Sequence, residues 1–196
     1  MYKMGIVVFP DVEELDFIGP YEVLSYANKV EPGFCTVQLL GEFPGLVRAF
    51  NGLSFLPHST WDQCPQLDVL ILPGGKGRLK AMHNAHLLAF IQKQSANAVH
   101  VCSVCTGALI LAEAGLLAGK RAATHANARE ELGGYPGITV SGRKVEEAGK
   151  IMTSGGVSSG LELGMRLLQK LGSHELAKKV AAGIEYTPDL AQIEKA

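Results

Sequence analysis

The sequence predicts an α/β fold whose central sheet is mostly parallel. Two apolar runs of strand length, residues 4–9 and residues 67–72 with Asp68 as the one polar residue, are typical of strands buried on both faces of a sheet. Amphipathic helical segments alternate with such runs, which is the pattern of parallel strands joined by helical crossovers. The chain has 196 residues, 47% of them hydrophobic, enough to fill one core and short for two. We therefore expect a single domain over residues 1–196.

Composition and charge exclude several classes of function. The formal net charge is −1 with both signs scattered, so no basic face predicts binding to nucleic acid or to a membrane surface. No apolar run reaches the roughly 18 residues of a membrane span, and the apolar start is too brief for a signal peptide. The four cysteines are sparse and irregularly spaced, which indicates free thiols. We expect a soluble, cytoplasmic protein that acts on a small molecule.

In the first half of the chain, turn and capping signals separate the apolar strands. Asp11 and Glu14 have the spacing of a capping box at a helix start. Asn51-Gly52 favours a tight hairpin turn with two positive-φ residues, and Trp61 lies in a connecting loop. In order, the predicted elements are a strand over residues 4–9, a helix that resumes after Pro20, a strand over 35–40, a hairpin over 46–56, a strand over 67–72 and a helix over 84–94.

The second half continues the alternation. Ser159 and Glu162 have the spacing of a capping box, and Ser173 is expected to cap the last helix. The last two helices are balanced in charge, so we expect them to cover the sheet rather than to form a helix-turn-helix. In order, the predicted elements are a strand over residues 99–104, a helix over 108–113, a strand over 120–124, a strand pair over 138–140 and 143–147, a strand with a glycine exit over 151–158, and helices over 159–171 and 173–183.

The strand over residues 99–104 runs into its helix with no room for a loop. Cys105, followed by Thr106 and Gly107, is therefore expected on a tight, strained turn, which is a nucleophile elbow with sulfur in place of oxygen. A thiol there meets the free N–H groups and the positive end of the helix, which favour the thiolate. A small buried cysteine in a strand-to-helix corner is the alternative interpretation.

Two further features lie at the ends of predicted strands. Asp16 interrupts an apolar stretch, so it either faces water from a loop or is buried with a partner, and the residues alone favour the solvated loop acid. Gly74-Gly75 can turn successive N–H groups into a concavity that holds an anion, although most such pairs are simple turns. Because sites in parallel sheets lie outside the carboxyl ends of the strands, we expect Asp16, the glycines and Cys105 to converge. His125, one strand further on, can reach the same crevice, while a lone histidine is more often structural.

Together these motifs resemble the ThiJ/PfpI superfamily, which has a class I glutamine amidotransferase-like fold. Within it the nearest pattern is that of the isonitrile hydratases. Two positions differ from the common pattern, since Ala126 stands where an aromatic is frequent and Ser154 where a third glycine is frequent. The stretches that carry the resemblance are Leu-Asp-Phe-Ile-Gly-Pro-Tyr-Glu22, Leu-Pro-Gly-Gly75, Ser-Val-Cys-Thr-Gly-Ala108, Ala-Gly-Leu-Leu-Ala-Gly-Lys-Arg121, Thr124-His125 and Thr-Ser-Gly-Gly-Val-Ser-Ser-Gly160.

The resemblance implies a flavodoxin-like three-layer sandwich with helices on both faces of the sheet. It also implies a homodimer with the nucleophile near the interface, and no metal or organic cofactor. The implied catalytic residues are Cys105 as nucleophile, Asp16 as its acidic partner and Thr106 as a polar neighbour. The implied substrate and oxyanion surround consists of Gly74, Gly75, His125, Gly19 and Phe17.

The function that this resemblance implies is hydration of an isonitrile to an N-substituted formamide. Cys105 would form a thioimidate, with Asp16 as acid and then as base. Two alternatives use the same cysteine: glyoxalase-like hydration of a small α-oxoaldehyde, with His125 as an extra proton shuttle, and a non-enzymatic oxidation sensor or ligand-binding module. Cys102 forms Cys-x-x-Cys with Cys105, and we expect it to be buried and to pack rather than to form a redox pair.

Overall fold

A computed structural model describes residues 1–188. The strands are β1 (Tyr2–Val7), β2 (Cys35–Gly41), β3 (Val47–Arg48), β4 (Ser54–Phe55), β5 (Ser59–Thr60), β6 (Val69–Leu72), β7 (His100–Ser103), β8 (Arg121–Ala123), β9 (Thr139–Ser141), β10 (Val145–Ala148) and β11 (Ile151–Ser154). The helices are α1 (Glu14–Val30), α2 (Arg78–Ala81), α3 (Ala85–Asn97), α4 (Gly107–Glu113), α5 (Arg129–Gly133), α6 (Ser159–Leu171) and α7 (His174–Gly183), with a 3₁₀ turn at Ala126–Ala128.

The centre of the fold is a seven-stranded sheet in the order β10-β11-β7-β6-β1-β2-β5. Every neighbouring pair is parallel except β10 and β11 at one edge. All four residues of β6 are buried, which explains their uninterrupted apolar character. Helices α1, α6 and α7 pack on one another. Helix α4 contacts both α2 and α5 in a second group. Helices α3 and α4 also pack against the central strands. The predicted three-layer α/β fold with a mostly parallel sheet is confirmed.

Two short sheets stand apart from the central one. Strands β3 and β4 form the predicted hairpin. In the connecting loop only Gly52 of the Asn51-Gly52 pair has a positive φ, 105°. The expected two-residue turn is therefore wrong, and five residues separate the paired residues Arg48 and Ser54. Strands β8 and β9 pair with each other in parallel, and β10 pairs with β11. The predicted strand pair over 138–140 and 143–147 is therefore wrong, because each strand has a different partner.

Several helix starts differ from the predicted capping pattern. Glu13 is the N-cap of α1 and has no side-chain cap bond, so the Asp11–Glu14 capping box is wrong. Glu14 instead accepts hydrogen bonds from the Asn51 N–H at 2.8 Å and from its side-chain amide at 2.7 Å, which fixes the hairpin to α1.

Helix α6 begins at Ser159 itself, so the capping box predicted there is wrong as well. Ser173 does cap α7, accepting from the Leu176 N–H. Trp61 is buried and packs against Phe90 in the core. In the part of the chain that the structure describes, no helix has the length and apolar character needed to cross a membrane.

Candidate active site

Cys105 lies on the tight turn between β7 and α4, as the sequence predicts. Its φ is 57°, a left-handed conformation that costs a non-glycine residue about 1–3 kcal/mol. Two hydrogen bonds from other segments hold it: its N–H donates to the Gly155 carbonyl at 2.8 Å, and the Thr124 hydroxyl donates to its carbonyl at 2.9 Å. Gly107 begins α4 so close to β6 that a Cβ there would lie 2.1 Å from the Leu72 carbonyl oxygen. The surrounding fold therefore imposes the strained elbow.

Asp16 is fully buried in the first turn of α1 and contacts the Cys105 thiol. Its Oδ2 accepts a hydrogen bond from the Gly74 N–H at 2.9 Å. Its Oδ1 is buried and, within residues 1–188, has no partner of ordinary hydrogen-bond geometry, so that oxygen is available to a proton or a substrate. The solvated loop acid favoured by the residues alone is wrong, because α1 already begins at Glu14 and turns Asp16 inward.

The environment raises the affinity of both groups for protons. Burial raises the pKa of Asp16 to about 7, and the Gly74 N–H and the Cys105 thiol oppose this only in part. Burial also raises the pKa of Cys105 to about 12, and the negative charge of Asp16 adds to the rise. The expectation that the helix start favours the thiolate is therefore wrong. Burial and the neighbouring acid raise the pKa of Cys105 by more than the amides of the seven-residue helix α4 lower it. The pair therefore loses its first proton near pH 7 and keeps the second far above it, because two charges in contact are costly.

The Gly74-Gly75 turn organises the acid and Thr106. The Gly74 N–H is donated to Asp16, and the Gly75 N–H is donated to the Thr106 hydroxyl oxygen at 3.1 Å. A Cβ on Gly74 would lie 2.3 Å from that hydroxyl oxygen and 3.0 Å from Asp16 Oδ2, so only glycine fits. The concavity predicted for an anion is therefore filled by the protein's own side chains, and these N–H groups position them.

Three of the predicted surrounding residues lie outside the thiol–acid pair. Phe17 is buried and packs against Phe55 with the two rings tilted by 30° and their centroids 4.7 Å apart. Gly19 lies on the side of α1 that faces α6, where a Cβ would make an ordinary contact 3.6 Å from the Leu161 nitrogen. His125 is half-buried, and its ring lies against Gly156. Among the described residues, none of these three has a side-chain hydrogen bond to Cys105 or Asp16.

Sequence reasoning missed Val157. Its backbone N–H, like that of Thr106, lowers the pKa of Cys105 against the effects of burial and of Asp16. The glycine exit that follows β11 is the signal in the sequence that could have found it, because a glycine pair lets a backbone approach the elbow. All four cysteines are free, and Cys102 is fully buried in β7, where burial raises its pKa, as expected for a packing residue. Within residues 1–188, no three His, Cys, Asp or Glu side chains cluster as metal ligands.

The fold and this site define an α/β protein with a cysteine elbow next to a buried carboxylic acid. The chain belongs to the DJ-1/PfpI family, whose model matches residues 2–170. It is similar to isonitrile hydratase of Pseudomonas putida, at 38% identity over 186 residues, 95% of this chain and 79% of that protein. Protein dj-1beta of Drosophila melanogaster is 25% identical over 189 residues, 94% of this chain and 97% of that protein. The crystal structure of a ThiJ/PfpI family protein from Pseudomonas syringae matches with a TM-score of 0.89 at 31% identity, covering 96% of this chain and 76% of that one.

Proposed function

We propose that this protein adds water to an isonitrile and releases an N-substituted formamide. The observation that carries the proposal is the buried Asp16 carboxyl, with its pKa raised to about 7, in contact with the Cys105 thiol on a strained elbow. Such a pair supplies a nucleophile and an acid that exchange one proton near neutral pH. The similarity to an isonitrile hydratase supports the substrate class.

In the first step the sulfur of Cys105 attacks the terminal isonitrile carbon. The thiol proton passes to Asp16 as the carbon–sulfur bond forms, and Asp16 delivers it to the same carbon. The product is a thioimidate, R–N=CH–S–Cys105, with Asp16 again ionised. Asp16 can make this transfer because its raised pKa allows it to be protonated at the pH where the enzyme works.

In the second step Asp16 acts as a base towards water. It takes a proton from the water as the oxygen adds to the thioimidate carbon, and it returns that proton to the nitrogen. The adduct R–NH–CH(OH)–S–Cys105 then loses its hydroxyl proton through Asp16 to the departing sulfur, which releases R–NH–CHO and restores the thiol. One isonitrile and one water are consumed for each formamide, and the acid and the thiol return to their starting state.

The test follows formamide production from cyclohexyl isocyanide. We expect the Cys105→Ala variant to lose activity by a factor of at least about 10³, because no other group in the site can form the covalent intermediate. Cys64→Ala is the matched control, since that thiol is half-buried in a loop outside the site, and it should keep full activity. Turnover by the unmodified protein no faster than by Cys105→Ala would refute the function.

The two alternative functions gain no support from the site. A glyoxalase-like shuttle needs the His125 ring to exchange a proton with the sulfur; within residues 1–188 the ring has no hydrogen bond to Cys105, and its Nδ1 accepts the Asn127 N–H at 3.1 Å. An oxidation sensor needs a readily ionised thiol, whereas burial and Asp16 raise the pKa of Cys105 to about 12.

We propose further that the protein acts as a homodimer that covers an apolar surface next to the site. Leu15 and Ile18 flank Asp16 on α1 and are more than one-third exposed, and the attached hairpin exposes Phe50 and Leu53. Exposed apolar side chains on two segments that are joined through Glu14 are of the kind found at protein interfaces. Light scattering should show a dimer that Leu53→Glu dissociates and Leu79→Glu, on α2, does not. A monomer in the unmodified protein would refute the proposal.

A further inference from the structure

The peptide carbonyl of Cys105 has no partner in the backbone of the elbow. On one side of it the Val104 carbonyl accepts the Gly107 N–H at 2.9 Å. On the other side the Thr106 carbonyl accepts the Leu109 N–H at 3.1 Å, whereas within residues 1–188 no backbone N–H donates to the Cys105 carbonyl. A buried carbonyl that lacks a donor is costly, so a side chain has to supply one.

The Thr124 side chain supplies this donor. Its hydroxyl donates to the Cys105 carbonyl at 2.9 Å, and the residue is only 2% exposed, so the bond is shielded from water. The N–H of Cys105 is held from a different segment, because it donates to the Gly155 carbonyl at 2.8 Å. The strained residue, whose φ is 57°, is therefore fixed at both of its peptide groups.

The donor is anchored to the central sheet at the same place. Thr124 follows β8 directly, and β8 belongs to a small sheet that is separate from the central one. The N–H of Ala123, the last residue of β8, donates to the Thr153 hydroxyl oxygen at 2.7 Å. Thr153 lies in β11, which pairs with β7, the strand that leads into the elbow. The Thr124 hydroxyl therefore has a defined position relative to the elbow.

Holding the carbonyl also fixes the sulfur. The dihedral angles of Cys105 that set the direction of its carbonyl also set the direction of its Cα–Cβ bond within the fold, and this bond carries the sulfur. The acid in contact with the sulfur, Asp16, comes from α1 and is held independently by the Gly74 N–H. A rotation of the elbow would therefore move the sulfur away from an acid that does not follow it.

We propose that Thr124 is a positioning residue of the elbow, whose hydroxyl holds the Cys105 carbonyl and thereby keeps the Cys105 sulfur in contact with Asp16. Its role in turnover rests on the hydration reaction proposed above, because that reaction passes a proton between the sulfur and the acid. Its role in placing the sulfur does not depend on the substrate.

Four variants separate this role from a general loss of stability. Thr124→Val replaces the hydroxyl by a methyl group of similar size, and Thr124→Ala removes it without adding a group that could press on the carbonyl. Thr124→Ser keeps the hydroxyl. Ser154→Ala is the matched control, since Ser154 is fully buried in β11 and its hydroxyl donates to the Ser103 carbonyl at 3.1 Å. This control loses the same kind of bond two residues before Cys105.

The first readout is the effect of Asp16→Asn on the alkylation of Cys105, measured in each background after circular dichroism and melting curves have shown that the protein is folded. Iodoacetamide is used at about pH 9, and mass spectrometry scores the Cys105 peptide. In the unmodified protein, in Thr124→Ser and in Ser154→Ala, removing the charge of the acid should speed alkylation about tenfold, equivalent to about one unit in the pKa of Cys105. In Thr124→Val and Thr124→Ala the effect should fall to about twofold or less, because the sulfur no longer contacts the acid.

The second readout is kcat and KM for cyclohexyl isocyanide. Thr124→Val and Thr124→Ala should lower kcat by about 10–100-fold with KM little changed, because a displaced sulfur is misaligned with the acid in the reaction and not in substrate binding. Thr124→Ser and Ser154→Ala should match the unmodified protein. A purely structural role for Thr124 would lower the melting temperature and leave the effect of Asp16→Asn on alkylation at its full size.

Three results would overturn the proposal. The first is an effect of Asp16→Asn on alkylation that is as large in Thr124→Val and Thr124→Ala as in Ser154→Ala. The second is an equal loss of this effect in Ser154→Ala, because any missing buried bond would then suffice. The third is the absence of the effect in the unmodified protein, since the contact that it measures would not exist. If the unmodified protein does not hydrate isonitriles, the proposed function fails alone, because loss of the alkylation effect in Thr124→Val would still support the positioning role.

Discussion

Replacing Asp16 by asparagine should change the two activities of Cys105 in opposite directions. The asparagine side chain keeps an oxygen that can accept the Gly74 N–H, so the geometry of the site is preserved. It removes the negative charge that raises the pKa of the thiol, and with it the acid that contacts that thiol. Cys105 should therefore become more readily alkylated while the protein loses its capacity to hydrate isonitriles.

The size of the first effect follows from the causes of the raised pKa. Burial and Asp16 together raise the pKa of Cys105 from 9.0 to about 12, and burial, which Asp16→Asn leaves in place, is the larger cause. We assign about one pH unit to the charge, which corresponds to about tenfold more thiolate at any pH below the pKa. Loss of a general acid and base typically costs about 10²–10⁴-fold in rate, so hydration should fall by that factor.

The assay compares the unmodified protein with Asp16→Asn under identical conditions. Alkylation is followed with iodoacetamide at about pH 9, where less than about one thiol in a hundred is ionised in either protein and the rate is proportional to the thiolate fraction. Mass spectrometry assigns the label to the Cys105 peptide, because Cys35, Cys64 and Cys102 are also free thiols. Hydration is followed as formamide released from cyclohexyl isocyanide.

The result that would refute this reasoning is a slower or unchanged alkylation in Asp16→Asn. It would mean that the carboxylate does not oppose the thiolate, and that the two groups do not share a proton. Retained hydration would refute the assignment of Asp16 as acid and base, whatever happened to the alkylation rate.

Three further predictions follow from the same contacts. The kcat/KM of the unmodified protein should rise with pH, with a midpoint near 7, because the thiol–acid pair loses its first proton there. Asp16→Asn should lack this rise. A profile of kcat/KM between about pH 5 and 9 checks both expectations. Folding raises the pKa of Asp16 from 3.8 to about 7. Between pH 3.8 and about 7 the folded protein therefore keeps a proton that the unfolded chain has lost, and the free energy of unfolding falls as the pH rises through this range. Asp16→Asn should therefore raise the free energy of unfolding in urea by up to ~4 kcal/mol above pH 7, and by little below pH 4. Thr106→Val should lower stability by about 1 kcal/mol and reduce kcat, because it leaves the partly buried Gly75 N–H without its acceptor, whereas Thr106→Ser should retain both.

The fold was predictable wherever the relevant information is local. The apolar runs of β1 and β6 identify buried strands because every side chain of such a strand meets a covered face. The pairing of β8 with β9 was not predictable, since three-residue strands carry too little pattern to specify a distant partner. For that reason His125 was expected one strand along the central sheet, whereas it lies beside a small separate sheet.

The same distinction between local and long-range information applies to the features of the site. The elbow can be predicted from the sequence because a β-branched run meets helix-forming residues at Cys105 with no loop between them. The burial of Asp16 depends on Gly74, 58 residues away in sequence, and on the strand order that brings the two together. The sign of the shift in the pKa of Cys105 was missed for the same reason. The local argument considers only the helix start, while burial and Asp16, which decide the sign, come from the rest of the fold.

Burial of the acid explains how one carboxyl can serve both steps of the proposed reaction. An exposed aspartic acid has a pKa near 3.8 and would be ionised at neutral pH, too weak a base to take up the thiol proton and deliver it to carbon. The same burial raises the pKa of the thiol, so the sulfur keeps its proton until a substrate accepts the attack, and the acid lies in contact to receive that proton. In a more exposed site the carboxyl would be ionised at neutral pH and would have no proton to give to the substrate carbon. Above neutral pH, the ionised and buried Asp16 lowers the stability of the fold. This cost comes from the same burial that raises the pKa of Asp16 and allows it to act as acid and base.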